Sequence, residues 1–194
     1  MMSDPLLENF QLHIELSQED YQRIRNLFVD EIFRKGQYLI QPSHFVHHQY
    51  FVLEGNLRTF MIDHKGKEHT LQFAVEGWWV SDYLSYYQNI PSALHVECLE
   101  ECHLLKVSKT DLINSFDEFP VLERFFRKQL ENAFVAFQQR ILSNLQDSAE
   151  ERYSAFVEKY PSIEQRVKNY QIASYLGIAP ESLSRLRKQR MNSL

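Results

Sequence analysis

The residues with the clearest chemical potential lie near the end of the chain, where polar and charged side chains recur on one face of a predicted helix. This helix should begin at Pro180, because proline suits a first turn whose N–H groups have no partner anyway. At 100° per residue, Glu181, Arg185 and Lys188 share the face opposite the helix's leucines. Arginine can pair with guanine, glutamate can accept from cytosine, and lysine can pair with phosphate. The pattern predicts a helix that reads DNA in the major groove; an ordinary solvated helix face is the alternative.

The residues just before this helix predict a second, shorter one that supports it. Ile172, Ala173 and Leu176 form one apolar face, and the small Ala173 allows close approach of a neighbouring helix. Gly177 follows, and glycine is the residue that most readily takes the left-handed conformation ending a helix. Two short helices joined by such a turn predict a helix-turn-helix.

The charge of the chain is unevenly distributed. The 194 residues carry a formal net charge of −5, which by itself argues against a nucleic-acid partner. Residues 162–194, however, hold six basic and two acidic residues, a net +4, and the rest of the chain is net −9. A basic end on an acidic body is typical of a protein in which one module contacts phosphates.

The cysteines and histidines do not suggest an enzyme. Cys98 and Cys102 are too few for a zinc or iron–sulfur site, so they are interpreted as small apolar residues, with redox sensing as the alternative. His44, His47 and His48 cluster in a predicted loop without a nearby acidic residue. We therefore expect no metal site and no catalytic residues. A cupin-like enzyme that uses these histidines as metal ligands is a further alternative.

The elements that must position these residues change in periodicity along the chain. Residues 5–28 show helical spacing. Residues 29–107 contain short Val-, Ile-, Phe- and Tyr-rich stretches between turn signals, which predict an all-β barrel or roll. The sequence therefore predicts an α+β fold. No apolar run is long enough to span a membrane, and no signal peptide is recognisable, so we expect a cytoplasmic protein without a membrane partner.

A long helix should begin at Pro120 and extend about 39 Å over roughly 26 residues. That exceeds what a small roll can cover, so we expect the far end to pair with a second copy as a coiled coil; packing on the chain's own roll is the alternative. A further helix is expected over Ser148–Tyr160. The near-heptad apolar stripe consists of Leu122, Phe126, Leu130, Ala133, Phe137, Ile141 and Leu145, and the predicted dimer contacts are Phe126, Leu130, Phe137 and Ile141.

Taken together, these features resemble the Crp/Fnr transcription regulators of bacteria over essentially the whole chain. The resemblance is carried by Phe33-Arg-Lys-Gly36, by Tyr50-Phe-Val-Leu-Glu-Gly-Asn-Leu-Arg58 and by the segment from Ile172 to Arg187. It implies a cyclic-nucleotide-binding-like β-roll, a dimerisation helix, and contacts with DNA and RNA polymerase. The resemblance also implies roles for five residues of the second helix: base reading by Glu181, Ser182 and Arg185, and phosphate contacts by Arg187 and Lys188.

The chain departs from the cyclic-nucleotide binders of this family in the expected effector pocket. Ser81-Asp82 stands where those proteins have Gly-Glu, and Pro91-Ser92-Ala93 stands where they have Arg-Ser-Ala. The missing arginine removes the bidentate partner of the cyclic phosphate, and Pro91 has no N–H to offer. We therefore expect a degenerate pocket formed by Ser81, Asp82, Ser92 and Ala93 that does not hold cyclic AMP. An aromatic filling and a different, flatter effector both remain open.

The expected organisation has three parts. Residues 1–119 form the roll with its N-terminal helices, residues 120–146 the dimerisation helix, and residues 147–194 the helix-turn-helix domain, which we expect to lack the family's β-hairpin wing. The predicted function is that of a homodimeric, sequence-specific DNA-binding regulator without a cofactor. The alternative is a small-molecule or nucleotide sensor that does not bind DNA.

Overall fold

The computed structural model describes residues 4–191 and begins with two short helices. Helix α1 covers Pro5–Gln11 and helix α2 covers Gln18–Arg25, so the expected helical region of residues 5–28 is interrupted between them. The Ser17 hydroxyl accepts a hydrogen bond from the Asp20 N–H and caps α2. Within the described residues, no helix is both long and apolar enough to cross a membrane.

Eight strands follow within the described part, all paired antiparallel, in two four-stranded sheets ordered β1-β8-β3-β6 and β2-β7-β4-β5. This is the expected roll, because each short apolar stretch between turn signals becomes one strand. Strand β5 lies at the open edge of the second sheet. The strands are β1 Val29–Phe33, β2 Tyr38–Ile40, β3 His48–Glu54, β4 Leu57–Ile62, β5 Glu68–Ala74, β6 Trp79–Val80, β7 His95–Cys98 and β8 Cys102–Ser108.

Helices enclose the roll at both ends. Helix α3, Tyr83–Gln88, lies between β6 and β7, and helix α4, Lys109–Glu118, follows β8. The Ser108 hydroxyl accepts from the Asp111 N–H and caps α4. The first core cluster joins α1, α2, β3, β8 and the start of the next helix through Phe10, Phe51, Leu105, Leu122 and Phe125.

The long helix and the C-terminal helices complete the chain. Helix α5 covers Pro120–Gln146, with Pro120 in its first turn as expected. It is followed by α6 Ala149–Lys159, α7 Pro161–Arg166, α8 Asn169–Leu176 and α9 Pro180–Met191. The described residues end in α9, so the absence of a wing stays a prediction.

Helix α6 begins with a reciprocal capping box, which allows a stability prediction. The Ser148 hydroxyl accepts from the Glu151 N–H, and the Glu151 carboxylate accepts from the Ser148 N–H at 2.7 Å. Ser148→Ala should lower the free energy of unfolding by about 1 kcal/mol, because the orphan N–H loses its partner. Urea denaturation measures this change. Ser154→Ala, on an exposed position of the same helix, is the control, and equal stability of Ser148→Ala and wild type would contradict the prediction.

Candidate functional site

Helices α8 and α9 form the expected helix-turn-helix. Gly177 ends α8 with φ +68° and ψ +30°, the left-handed conformation that glycine adopts without strain. Ile172, Ala173 and Leu183 are fully shielded from solvent, so the two helices pack closely through their apolar faces. No residue near the start of α9 other than Gly177 has positive φ. The turn between α8 and α9 therefore depends on the left-handed conformation of Gly177, the glycine that the sequence places there.

Helix α9 presents a polar outer face. Glu181, Arg185 and Lys188 are exposed, and Ser182 is half-buried beside them. The Arg185 Nη2 donates a weak hydrogen bond of 3.4 Å to the Ser182 hydroxyl. None of the three charged side chains forms an ion pair within the described residues. Their charges are therefore available to a partner with complementary groups.

The Arg187 guanidinium is engaged within the C-terminal domain, by Glu164 and Asn169. Its Nε lies 2.9 Å from Glu164 Oε1, and its Nη2 donates to the Glu164 carbonyl at 2.9 Å. Its Nη1 also contacts the Asn169 Oδ1. These contacts hold α9 against α7 and α8. Arg187 therefore positions α9 within the domain, and its contact with a DNA phosphate stays a prediction.

The first helix of the motif covers the open edge of the second sheet. The Thr70 N–H of β5 donates to the Ser174 hydroxyl of α8 at 2.9 Å, and that hydroxyl donates to the Glu68 carbonyl at 2.9 Å. The Thr70 hydroxyl donates to the Gln171 carbonyl at 3.3 Å. An exposed sheet edge leaves backbone groups without partners, so this docking satisfies them and fixes the helix-turn-helix against the roll.

Arginines reinforce the docking from two sides. Arg140 of α5 donates to the Thr70 and Tyr175 carbonyls at 3.0 and 2.9 Å, and its guanidinium lies 4.0 Å from the centre of the Tyr175 ring. Arg166 of α7 binds Glu76 through two hydrogen bonds of 2.9 and 3.1 Å. The α5 helix, the roll and the helix-turn-helix thus share one hydrogen-bonded junction.

The apolar stripe of α5 divides between two environments. Leu122 and Phe126 are buried in the chain's own core, where the Phe126 ring lies 4.9 Å from that of Trp79. Phe126 is therefore corrected from a dimer contact to a core residue. The remainder of the stripe is exposed: Leu130 is 38%, Phe137 57%, Ile141 47% and Leu145 80% exposed, and the small Ala133 between them is exposed as well.

The division of this stripe has a geometric cause. Each step of four residues turns the side-chain direction by about 40° beyond a full turn of the helix. Between Leu122 and Leu145 the direction therefore changes by roughly 140°. Successive residues of the stripe therefore stay close to each other on the helix. The stripe as a whole, however, turns gradually away from the roll. The far half of α5 consequently lacks a partner within the described part of the chain.

We refer to the four residues of the expected effector pocket, Ser81, Asp82, Ser92 and Ala93, as the cassette. Their polar side-chain groups are already hydrogen-bonded within the chain. Asp82 caps α3 by accepting from the Leu84 and Ser85 N–H groups at 3.1 and 3.3 Å, and its second oxygen accepts from the Ser92 hydroxyl at 2.7 Å. The Ser92 N–H donates to the His44 carbonyl at 2.8 Å.

The other two cassette residues add no open donor group to this arrangement. The Ser81 hydroxyl donates to the His48 carbonyl at 2.9 Å, and Ala93 is exposed. Asp82 and Ser92 are in direct contact, Ser81 binds the chain elsewhere, and the polar side-chain groups of all three are engaged.

The two cysteines pack among apolar residues of the roll. Among residues 4–191, no three His, Cys, Asp or Glu side chains are grouped as a metal ion would require. Cys98 and Cys102 are free and fully buried. The hydrogen bond with Cys102, together with burial, raises the pKa of the Cys98 thiol. Both cysteines thus lie in the core of the roll, as their interpretation as small apolar residues requires.

The sequence reasoning assigned no role to Arg140. One signal was available: Arg140 is the sole charged residue between Asn132 and Gln146. A lone arginine in a predicted coiled-coil segment indicates a specific acceptor. Here the acceptors are backbone carbonyls of another element, which no sequence pattern specifies.

Comparison with known proteins identifies the fold. Residues 30–119 match the sequence profile of the cyclic nucleotide-binding domain. A search of curated proteins finds no significant relative. Among solved structures, FixK2 from Bradyrhizobium japonicum superposes with a TM-score of 0.75 at 15% identity, covering 86% of this chain and 85% of the other.

Two further structures agree with this match. The c-di-GMP responsive global regulator CLP from Xanthomonas campestris gives a TM-score of 0.73 at 13% identity, covering 91% of this chain and 93% of the other. The catabolite activator protein of Thermus thermophilus gives 0.59 at 17% identity, covering 98% and 88%. The resemblance in fold is thereby confirmed over nearly the whole chain.

Proposed function

We propose that this chain, which has the fold of the Crp/Fnr regulators, is a homodimeric transcription regulator that binds a specific DNA sequence. The observation that carries the proposal is the outer face of α9, where Glu181, Arg185 and Lys188 are exposed and form no ion pair within the described residues. Such a regulator acts on DNA in the cytoplasm and does not require catalytic residues. The fold comparison gives no support to a sensor without DNA binding.

The support for DNA reading comes from the geometry of the motif. A recognition helix contacts base edges through residues near its N-terminus, and Glu181, Ser182 and Arg185 occupy the first two turns of α9. Lys188 lies one turn further along and suits a phosphate. The rigid junction with α5 and the roll gives the helix a defined orientation, which base readout requires.

The support for a dimer comes from α5. Seven large apolar side chains are exposed along its far half, and exposed apolar surface of this kind marks an association site. A second copy related by a two-fold axis would cover the same residues on both chains. This arrangement would present two α9 helices to one DNA duplex.

Selection of bound duplexes from a random DNA library tests the function. The enriched sites should contain inverted repeats whose half-site centres lie about 34–36 Å apart, one turn of the double helix. A variant with Glu181, Arg185 and Lys188 all replaced by alanine should fold normally and enrich no sequence. The proposal would be contradicted if this variant enriched the same sites as the wild type. It would also be contradicted if the wild type enriched no inverted repeat.

We also propose that the cassette does not bind cyclic AMP. Titration calorimetry should detect no binding at micromolar concentrations, because the arginine is missing and the Ser92 N–H and Asp82 carboxylate are already engaged. Pro91→Arg should not restore affinity, since it supplies the charge but leaves the cassette closed. Micromolar binding by the wild type would contradict the closed cassette. Binding only by Pro91→Arg would mean that the lost charge alone is responsible.

A further inference from the structure

A cavity of about 600 Å³ lies between the roll, helix α1, the long helix α5 and helix α6. It contains none of the cassette residues Ser81, Asp82, Ser92 and Ala93, so it is a separate space. Trp78 and Trp79, the two tryptophans of the chain, both line it. The roll and the helix-turn-helix domain contribute opposite walls.

The walls are rich in aromatic rings. Phe73, Trp78 and Tyr83 come from the roll, Phe137 from α5, and Tyr160 from the C-terminal domain. The rings of Trp78 and Tyr160 lie 5.6 Å apart, centre to centre, in an edge-to-face arrangement. Aromatic walls of this kind favour a flat, apolar ligand body, because a planar ring can stack on or contact several of them at once.

The charge of the walls has one sign. Arg140, Arg152 and Lys159 line the cavity together with His13, and no aspartate or glutamate is among its lining residues. None of these basic side chains forms an ion pair within residues 4–191, although several other arginines of the chain do. The hydrogen bonds given for Arg140 and Arg152 go to backbone carbonyls.

Burial lowers the pKa of the Arg140 guanidinium, as expected where no carboxylate faces it. Arg140 and Arg152 are half-buried and Lys159 is exposed, and a cavity lined by these three cations without a counter-charge suits an anionic ligand. The amide side chains of Gln72, Asn132 and Gln139 add neutral hydrogen-bonding groups to the same walls.

We propose that this cavity binds a small planar organic anion, an aromatic ring bearing a carboxylate or sulfonate. The ring would lie against Trp78 and Tyr160, and the acidic group would face Arg152 and Lys159. Because Trp78 belongs to the roll and the other three residues to the C-terminal domain, the ligand would bridge the two. This site does not depend on DNA binding or on the cassette.

The dye 8-anilinonaphthalene-1-sulfonate is a suitable probe, since it is an aromatic anion whose fluorescence rises in apolar sites. Titration into the full chain should show one saturable site per chain. N-phenyl-1-naphthylamine, which has the same ring system without the sulfonate, should bind at least about tenfold more weakly because it lacks the charge-assisted contacts. Equal affinity of the two dyes would overturn the proposal.

Charge-neutralising variants locate the bound dye. Arg152→Gln with Lys159→Gln should weaken dye binding at least about tenfold and leave the oligomeric state unchanged. Arg127→Gln with Lys128→Gln is the matched control, because these α5 cations do not line the cavity. Full affinity in the first variant would mean that the dye does not bind beside Arg152 and Lys159, and would overturn the proposal. Circular dichroism and a thermal melt confirm that each variant is folded.

Discussion

Replacing Phe137 and Ile141 with glutamate is expected to convert the proposed dimer into monomers. These side chains are 57% and 47% exposed in the single chain, so carboxylates there are solvated as long as the chain is alone. In a dimer the same carboxylates would lie unpaired in an apolar seam, at an effective cost of several kcal/mol per charge. Multi-angle light scattering should show the mass of one chain for the variant and of two chains for the wild type.

A matched control separates loss of the seam from a general effect of added charge. Arg124→Glu with Gln146→Glu places two acids on exposed positions of α5 about half a turn away from Phe137. This variant should remain dimeric. If the glutamate pair at 137 and 141 leaves the mass unchanged, the dimer does not form through the far half of α5. If the wild type is a monomer, the association proposal fails altogether.

The second large effect is expected at Arg185. Arg185→Ala should weaken binding to the selected DNA site by about 1–3 kcal/mol and relax the base preference at one position of each half-site. The physical reason is that the Arg185 guanidinium is exposed and forms no ion pair within the described residues. It can therefore donate two hydrogen bonds to one guanine. Binding assays on the selected site and on variants at each base pair measure both effects. An unchanged base preference would contradict direct readout by Arg185.

Lys188 and Arg187 provide contrasting controls for this experiment. Lys188→Ala should weaken all DNA sequences alike and reduce the slope of log affinity against log salt by about one unit, because one phosphate contact is lost. Arg187→Ala should instead lower the thermal stability of the C-terminal domain, since its contacts with Glu164 and Asn169 are internal. A reduced salt slope without loss of stability in Arg187→Ala would instead indicate that Arg187 contacts a phosphate.

Local chemistry was predictable from the sequence wherever one residue decides the backbone. Gly177 ends α8 and Pro120 begins α5, because each preference arises from atoms within a few residues. The short apolar stretches between turn signals in residues 29–107 likewise predicted the strands. The polar face of α9 followed from helical spacing alone.

Features that depend on distant parts of the chain were not predictable. The spacing of the α5 stripe predicts one continuous apolar surface, but Phe126 lies in the core and Phe137 is exposed. The point at which the helix leaves the roll depends on the size of the roll, which the spacing does not contain. Spacing also could not show that Arg187 turns inward to Glu164 or that Arg140 binds carbonyls of β5.

The amino-acid sequence by itself determined the elements, their order and the polar, charged character of the outer face of α9, because turns and periodicity are local. The tertiary structure alone decided which charges remain available. Arg187 is neutralised by Glu164, whereas Arg152 and Lys159 face an aromatic cavity without a carboxylate. The reason is physical: Coulomb interactions depend on distance in space, and residues far apart in the chain become neighbours only when the sheet edge, the long helix and the C-terminal domain pack together.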